Sequence, residues 1–139
     1  MNVSFVAGFG PITREADAAH AFWHDGLGIA FEEAAPGYFT NDELEGVKAF
    51  AMWPLSQAAE ATFGSSDWPA ELPVPQAWIE LDVESPEAVA AAIDELRAGG
   101  HRVLSEAHEE PWGQTTARLL SPEGLLVGIA YTPWMHKSP

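Results

Sequence analysis

The chain has no cysteine. That excludes disulfides, thiolate nucleophiles and thiolate metal sites. Cations are scarce too. Lysine and arginine number 6 against 21 aspartates and glutamates, for a formal net charge of -15. Binding a phosphate backbone or an anionic lipid surface takes clustered Lys and Arg, so neither nucleic acid nor a membrane is an expected partner. The acidic balance suits a soluble, cytoplasmic protein, or a pocket that attracts cationic ligands. No apolar run approaches the ~18 residues of a membrane-spanning helix. The opening MNVSFVAGFG lacks a basic start and a long apolar stretch, so no signal peptide is expected. No Ser-His-Asp motif, phosphate-cradling glycine loop or cofactor fingerprint is present, and no cofactor is expected.

What is present is apolar and aromatic. Of 139 residues, 47% are hydrophobic and 6 are tryptophan. That is ample for one domain, or for two small repeats that share a core.

The clearest stretch is QAWIELDVESPEAVAAAIDELRAGG, residues 76–100. Its first part alternates: Ile79, Leu81 and Val83 on one face, Trp78, Glu80 and Asp82 on the other, the period of a strand. Ser85 offers a cap, Pro86 suits the first helical position, and Val89, Ala92, Ile93 and Leu96 form one apolar stripe. Gly99 and Gly100 end the helix. The stripe should pack on Ile79, Leu81 and Val83. The face with Trp78, Glu80 and Asp82 is then either a pocket wall or a solvated sheet face.

Upstream, 3–7 reads as a strand that the glycines of GFGP interrupt. A helix is expected over 16–25, capped by Thr13 or Glu15, with Ala19, Phe22 and Trp23 inward. Short strands follow at 29–33, 38–40 and 47–53, the last closed by Pro54. A short helix fits 55–64, and 65–75 is linker-like. Downstream, strands are expected at 101–107, 112–120 and 125–132, with SPEG as a hairpin turn and a loose tail WMHKSP. A slide of about 70 positions lays Ala19, Phe22, Trp23 and Gly26 over Val89, Ala92, Ile93 and Leu96. Each half then reads strand, helix, three strands.

Several residues are candidates for chemistry. His20 and His24 are spaced i, i+4 as a helix-borne metal pair would be, but no zincin glutamate accompanies them, and they read as solvated helix residues. His108, Glu109 and Glu110 are neighbours in a turn, so their side chains should diverge. Glu80, on one face with Trp78, can act as a general base or hold a cation, or be a plain hydrogen-bonded carboxylate. Phe50, Trp53, Trp78 and Trp112 fall on strands that would border a concave site, and aromatic walls with few polar groups typify small-molecule pockets. Arg118, on a strand, can pair with a pocket carboxylate or an anionic ligand group, but a structural ion pair is the plainer reading.

FWHDGLGI (22–29), DVESPEAV (82–89) and EEPWGQTTARLLSPEGLLVG (109–128), in that order and spacing and with the repeat, resemble the vicinal oxygen chelate superfamily. This is the glyoxalase / bleomycin-resistance / dioxygenase group. The resemblance implies an α+β fold: a single domain over 1–139 with paired βαβββ repeats forming a curved mixed sheet cup. Repeat one spans about 1–55, the linker about 56–75 and repeat two about 76–133. It implies a homodimer as well. Members usually hold a divalent metal, and the resemblance places the ligand positions at Gly8, Trp78, Gly128 and somewhere in 48–53. Glycine and tryptophan side chains do not ligate, and 48–53 holds no carboxylate or histidine. No metal is therefore expected. The resulting expectation is a metal-free protein binding a small aromatic or cationic compound, such as an antibiotic, through Trp78, Glu80, Trp53, Phe50, Trp112 and Arg118. The alternative is a glyoxalase-like lyase, isomerase or dioxygenase, metal-dependent or using Glu80 as base.

Overall fold

The computed structural model describes residues 1–136. Eight strands form one sheet: β1 (Phe5–Thr13), β2 (Glu32–Ala35), β3 (Tyr38–Asn41), β4 (Phe50–Pro54), β5 (Ala77–Asp82), β6 (Val103–Glu109), β7 (Thr115–Leu120) and β8 (Leu126–Tyr131). Their order is β2-β3-β4-β1-β5-β8-β7-β6. Three α-helices accompany them: α1 (Ala16–His20), α2 (Leu55–Phe63) and α3 (Pro86–Ala98). The order is the same read outward from the β1–β5 seam in either direction. β1 is parallel to β4 and β5 is parallel to β8. The antiparallel seam β1–β5 joins the halves within one chain. The sheet is mixed, curved and open, as the repeat leads one to expect.

The second half follows its sequence pattern closely. The Ser85 hydroxyl accepts from the Ala88 N–H at 3.1 Å and Pro86 opens α3. Val89, Ala92 and Ile93 are buried on Val83, Ala117, Leu119 and Ile129, with Leu81 and Leu96 at the margin. Each side chain so buried contributes roughly 1.5–3 kcal/mol, somewhat less for alanine. α3 thus covers the convex side of the second half.

The first half departs from its pattern in three places. β1 does not stop at GFGP but runs on to Thr13. A Cβ on Gly10 would lie 1.7 Å from the Ala51 carbonyl oxygen, so the glycine is what lets β1 approach β4. The helix expected over 16–25 is α-helical only to His20, and Ala21–Gly26 continue as a π-helical turn. The wider winding leaves Phe22 59% exposed instead of inward. The histidines of this helix are not simply solvated. His20 stacks on His24 with centroids 4.8 Å apart and leans on Phe39, and His24 Nδ1 meets the Ile29 carbonyl at 2.6 Å.

α2 lies on the concave side. Its Ala58 packs with Ala51, Trp53, Trp78 and Leu126, and its Ala61 carbonyl accepts from Arg118 Nη1 at 3.2 Å. The helix packs against β4 and β1 of the first half and β6 of the second. The tail is tied rather than loose as far as it is described. Pro133–Met135 form a 3₁₀ turn, and His136 Nε2 lies 2.7 Å from Asp82 Oδ2. Residues 137–139 of that tail lie outside the described residues.

Candidate functional site

Register places the site. Gly8 pairs with Glu80, Gly10 with Trp78, and Glu80 with Gly128. Strand alternation sends Trp78 and Glu80 to the concave side together. They do not stand apart from the core. Trp78 is 5% and Glu80 8% exposed, and Asp82 is fully buried. The face is therefore not solvated, and small neighbours let its large side chains lie down against the sheet. The Trp78 ring covers Gly8, and its Nε1 donates to the Ala51 carbonyl at 3.1 Å. The Glu80 side chain covers Gly128, where a Cβ would meet its Cγ at 2.7 Å.

Above these residues is a cavity of about 500 Å³. Trp53 and Trp78 form its inner wall and meet edge to face, with centroids 5.9 Å apart. Trp112 and Trp134 flank it, 51% and 60% exposed. Tyr38, Asp42, Glu80, Gln114 and Arg118 are among its polar groups, with Thr40 and Gln57. A larger depression, about 650 Å³, lies between the start of α2 and residues 66–74, with Arg14, Gln57 and Asp67 on its rim. The central cavity is the better candidate because the buried ionisable groups converge there.

The electrostatics of the cavity are those of an under-compensated acidic site. Burial raises the Glu80 pKa; the Arg118 charge and the Gln114 hydrogen bond pull it down, and Asp82 and Glu110 push it up. Gln114 holds Glu80 Oε1 at 2.5 Å. Oε2 has no protein partner among the described residues and is not sealed off from the cavity. The Tyr38 hydroxyl is pushed upward by burial first, then by Glu80 and Asp42. Among the described residues, Arg118 is the only basic one lining the cavity. Its Nη2 already donates to Glu110 Oε2 at 2.8 Å, and its guanidinium lies 5.3 Å from the Trp53 ring centroid.

Three sequence expectations change here. Phe50 is not in the cavity. It packs on the opposite side of the sheet, among Phe9, Trp23 and Phe31. Residues 50 and 53 are an odd number apart on one strand, so Phe50 and Trp53 have to face opposite ways. His108 and Glu110 do converge: His108 Nε2 is 2.6 Å from Glu110 Oε1, and Glu110 is buried against Arg118. Immediate neighbours diverge, but residues two apart return to one side. Trp112 lies in the turn before β7 rather than on the strand. The sequence reading missed Gln114, Tyr38 and Trp134. Gln114 was detectable as the residue two positions before Thr116 and four before Arg118, on the alternation of β7.

The positions that the resemblance assigns to metal ligands are filled differently. The Trp78 indole occupies the space above Gly8, and the Glu80 side chain that above Gly128. β4 offers Ala51 and Trp53 to this side. Among the described residues no group of three or more His, Asp and Glu converges on a point that could hold an ion. At these positions the structure therefore places an indole and the Glu80 carboxyl rather than a set of ligands.

The model of the Glyoxalase/Bleomycin resistance protein/Dioxygenase superfamily matches residues 9–129. No curated protein matches the chain. Solved structures share the fold. A superfamily member from Vibrio splendidus 12B01 is 16% identical, with 92% of this chain and 98% of that one covered and a TM-score of 0.58. The Mn(II)-bound glyoxalase from Novosphingobium aromaticivorans is 22% identical over 93% of this chain and 39% of its own, with a TM-score of 0.57. A variant of Streptomyces coelicolor methylmalonyl-CoA epimerase, in complex with 2-nitronate-propionyl-CoA, is 15% identical, with coverages of 95% and 99% and a TM-score of 0.53. None of the helices described here is long and apolar enough to cross a membrane.

Proposed function

The chain belongs to the glyoxalase/bleomycin resistance protein/dioxygenase superfamily, and from that premise we propose that it binds a small aromatic cation in its central cavity without a metal. One observation carries the reading. The cavity has tryptophan walls and two carboxyls, Glu80 and Asp42, while Arg118, the basic residue on its lining, is engaged by Glu110. A flat ring gains by stacking on indole faces, and a positive charge on it replaces the missing counter-charge of Glu80. The absence of a converging donor set among the described residues supports metal-free binding.

The test is a tryptophan-fluorescence titration with N-methylquinolinium against neutral quinoline. The expected result is saturable quenching by the cation at least about tenfold tighter than by quinoline. Glu80→Gln should erase that preference. Equal affinities, or no saturation by either compound, would overturn the reading.

Glu80 itself supports a second reading, an isomerase-type proton transfer. A buried carboxyl with a raised pKa and one free oxygen suits general acid-base work. Deuterium uptake from D₂O into phenylacetone, lost in Glu80→Gln, would establish it; uptake no faster than in buffer would dismiss it. Exposed Val6, Phe9, Phe22 and Leu27 on the first half support a homodimer, measurable by sedimentation equilibrium.

A further inference from the structure

Gln114 lies where three parts of the cavity meet. Its side-chain oxygen accepts from Trp112 Nε1 at 2.8 Å. Its side-chain nitrogen donates to Glu80 Oε1 at 2.5 Å and to Thr132 Oγ1 at 2.7 Å. An indole N–H is a donor only. Trp112 therefore requires the oxygen end of the Gln114 amide, and so favours the NH₂ group turned inward. An amide turned the other way would set oxygen against oxygen at Glu80, a contact that is favourable only when the carboxyl carries a proton. Both N–H bonds of Gln114 are then used, one on the floor of the cavity and one at its rim.

The rim contact continues outward. The Thr132 hydroxyl, accepting from Gln114, donates to Asp82 Oδ1 at 2.8 Å, and the Thr132 N–H donates to Asp82 Oδ2 at 2.7 Å. Thr132 is followed by Pro133–Met135, whose Trp134 and Met135 line the cavity. One buried amide thus touches the acidic floor, an exposed tryptophan at the mouth and the root of the segment that carries the second.

We propose that Gln114 is the positioning residue of this cavity: clamped by the Trp112 indole and Thr132, it holds Oε1 of Glu80 and turns Oε2 toward the ligand. This rests on the cavity being a ligand site, yet the link from Trp112 to Glu80 exists in the empty protein and can be judged there. Glu80 is faced by Gln114 and Arg118 from the β7 side, with Tyr38 from β3, Asp82 on its own strand, Glu110 behind Arg118, and Asp42 beside Tyr38. Of these, Arg118 and Gln114 favour its ionised form. Releasing the amide removes one of the two.

The experiment is a carboxyl-carbon NMR titration of the unliganded protein, with Glu80→Gln to assign the signal. The parent is compared with Trp112→Phe and Gln114→Met. The expected result is a Glu80 midpoint raised by on the order of one pH unit in both variants. Trp112 is half exposed and phenylalanine keeps an aromatic ring there, so Trp112→Phe is expected to fold even if Gln114→Met does not. A Glu80 midpoint unchanged in Trp112→Phe overturns the proposal. N-Methylquinolinium binding supplies a second readout: an affinity about tenfold lower at neutral pH in Trp112→Phe, restored at higher pH, supports it. If the parent ignores that probe, the ligand-site reading fails by itself, and the titration still decides the role of Gln114.

Discussion

The six-membered ring of Trp78 occupies the space that a side chain at Gly8 would need: a Cβ there would stand 2.4 Å from its Cη2 and 2.7 Å from its Cζ3. The ring cannot easily move aside, because its Nε1 is bonded to the Ala51 carbonyl and its edge meets Trp53. Gly8→Ala should therefore cost about 1–3 kcal/mol, and less in a Trp78→Phe background. Gly10→Ala should cost more, since its Cβ would meet backbone, 1.7 Å from the Ala51 oxygen. Urea denaturation of the three variants checks the order; a Gly8→Ala protein as stable as the parent would contradict it.

Metal retention follows from the same geometry. With Trp78 over Gly8 and Glu80 over Gly128, no converging donor set remains among the described residues. Protein incubated with zinc, nickel, manganese or iron(II) and then desalted is expected to keep less than stoichiometric metal. Stoichiometric binding that EDTA reverses would show that other residues supply ligands.

Glu80 makes stability depend on pH in a definite direction. Its folded pKa is raised, chiefly by burial, so the native state holds the proton more tightly than the unfolded chain does. Stability associated with this group is greatest at low pH and declines as pH rises from the unfolded value toward the folded one. Glu80→Gln, which can keep the Gln114 contact, should gain stability relative to the parent across that interval. A difference independent of pH would mean that Glu80 ionises in the folded state as it does in water. The same sign governs ligand: an aromatic cation should bind more tightly as pH rises through the folded midpoint.

The buried pair Glu110–Arg118 should be costly to break from one side. Their side chains are 3% and 1% exposed, and their atoms are 2.8 Å apart. Removing Glu110 leaves a guanidinium beneath α2 without the carboxylate it is bonded to. Glu110→Gln is expected to lose about 3–5 kcal/mol in urea denaturation, and His108→Ala, which strips a half-exposed partner, no more than about 1 kcal/mol. Equal losses would place the energy in the His108 contact instead.

Much of the architecture was legible in local pattern. Alternation over 77–83, the Ser85 cap and the stripe Val89–Ala92–Ile93 each follow from a few neighbouring residues, and the structure keeps all three, although within β5 the more buried face is that of Trp78, Glu80 and Asp82 and Ile79 stays outside the cluster under the stripe. The doubled order of elements pointed to paired halves, because a βαβββ unit alone cannot cover its sheet. Where local pattern failed, something distant had intervened. GFGP reads as a break, but β1 continues because the approaching Ala51 backbone and Trp78 ring tolerate only glycine there. The π-helical turn at Ala21–Gly26 shifts Phe22 by a winding change that apolar spacing does not encode. Phe50 was misplaced although alternation alone would have separated it from Trp53.

The sequence by itself determined the family, the repeat, the acidic character and the lack of ligating side chains at Gly8, Trp78 and Gly128. Each of these is a property of residue identity or of near-neighbour spacing. Only the tertiary structure decided that Trp78 lies on Gly8, that Glu80 lies on Gly128, and that one amide, Gln114, joins Glu80 to Trp112 and Thr132. Apart from the Gln114–Trp112 bond, those contacts join residues far apart in the chain across the β1–β5–β8–β7 strands. Their energies depend on ångström-scale approach and on which hydrogen-bonding end of a side chain is turned inward, and neither is written in local periodicity.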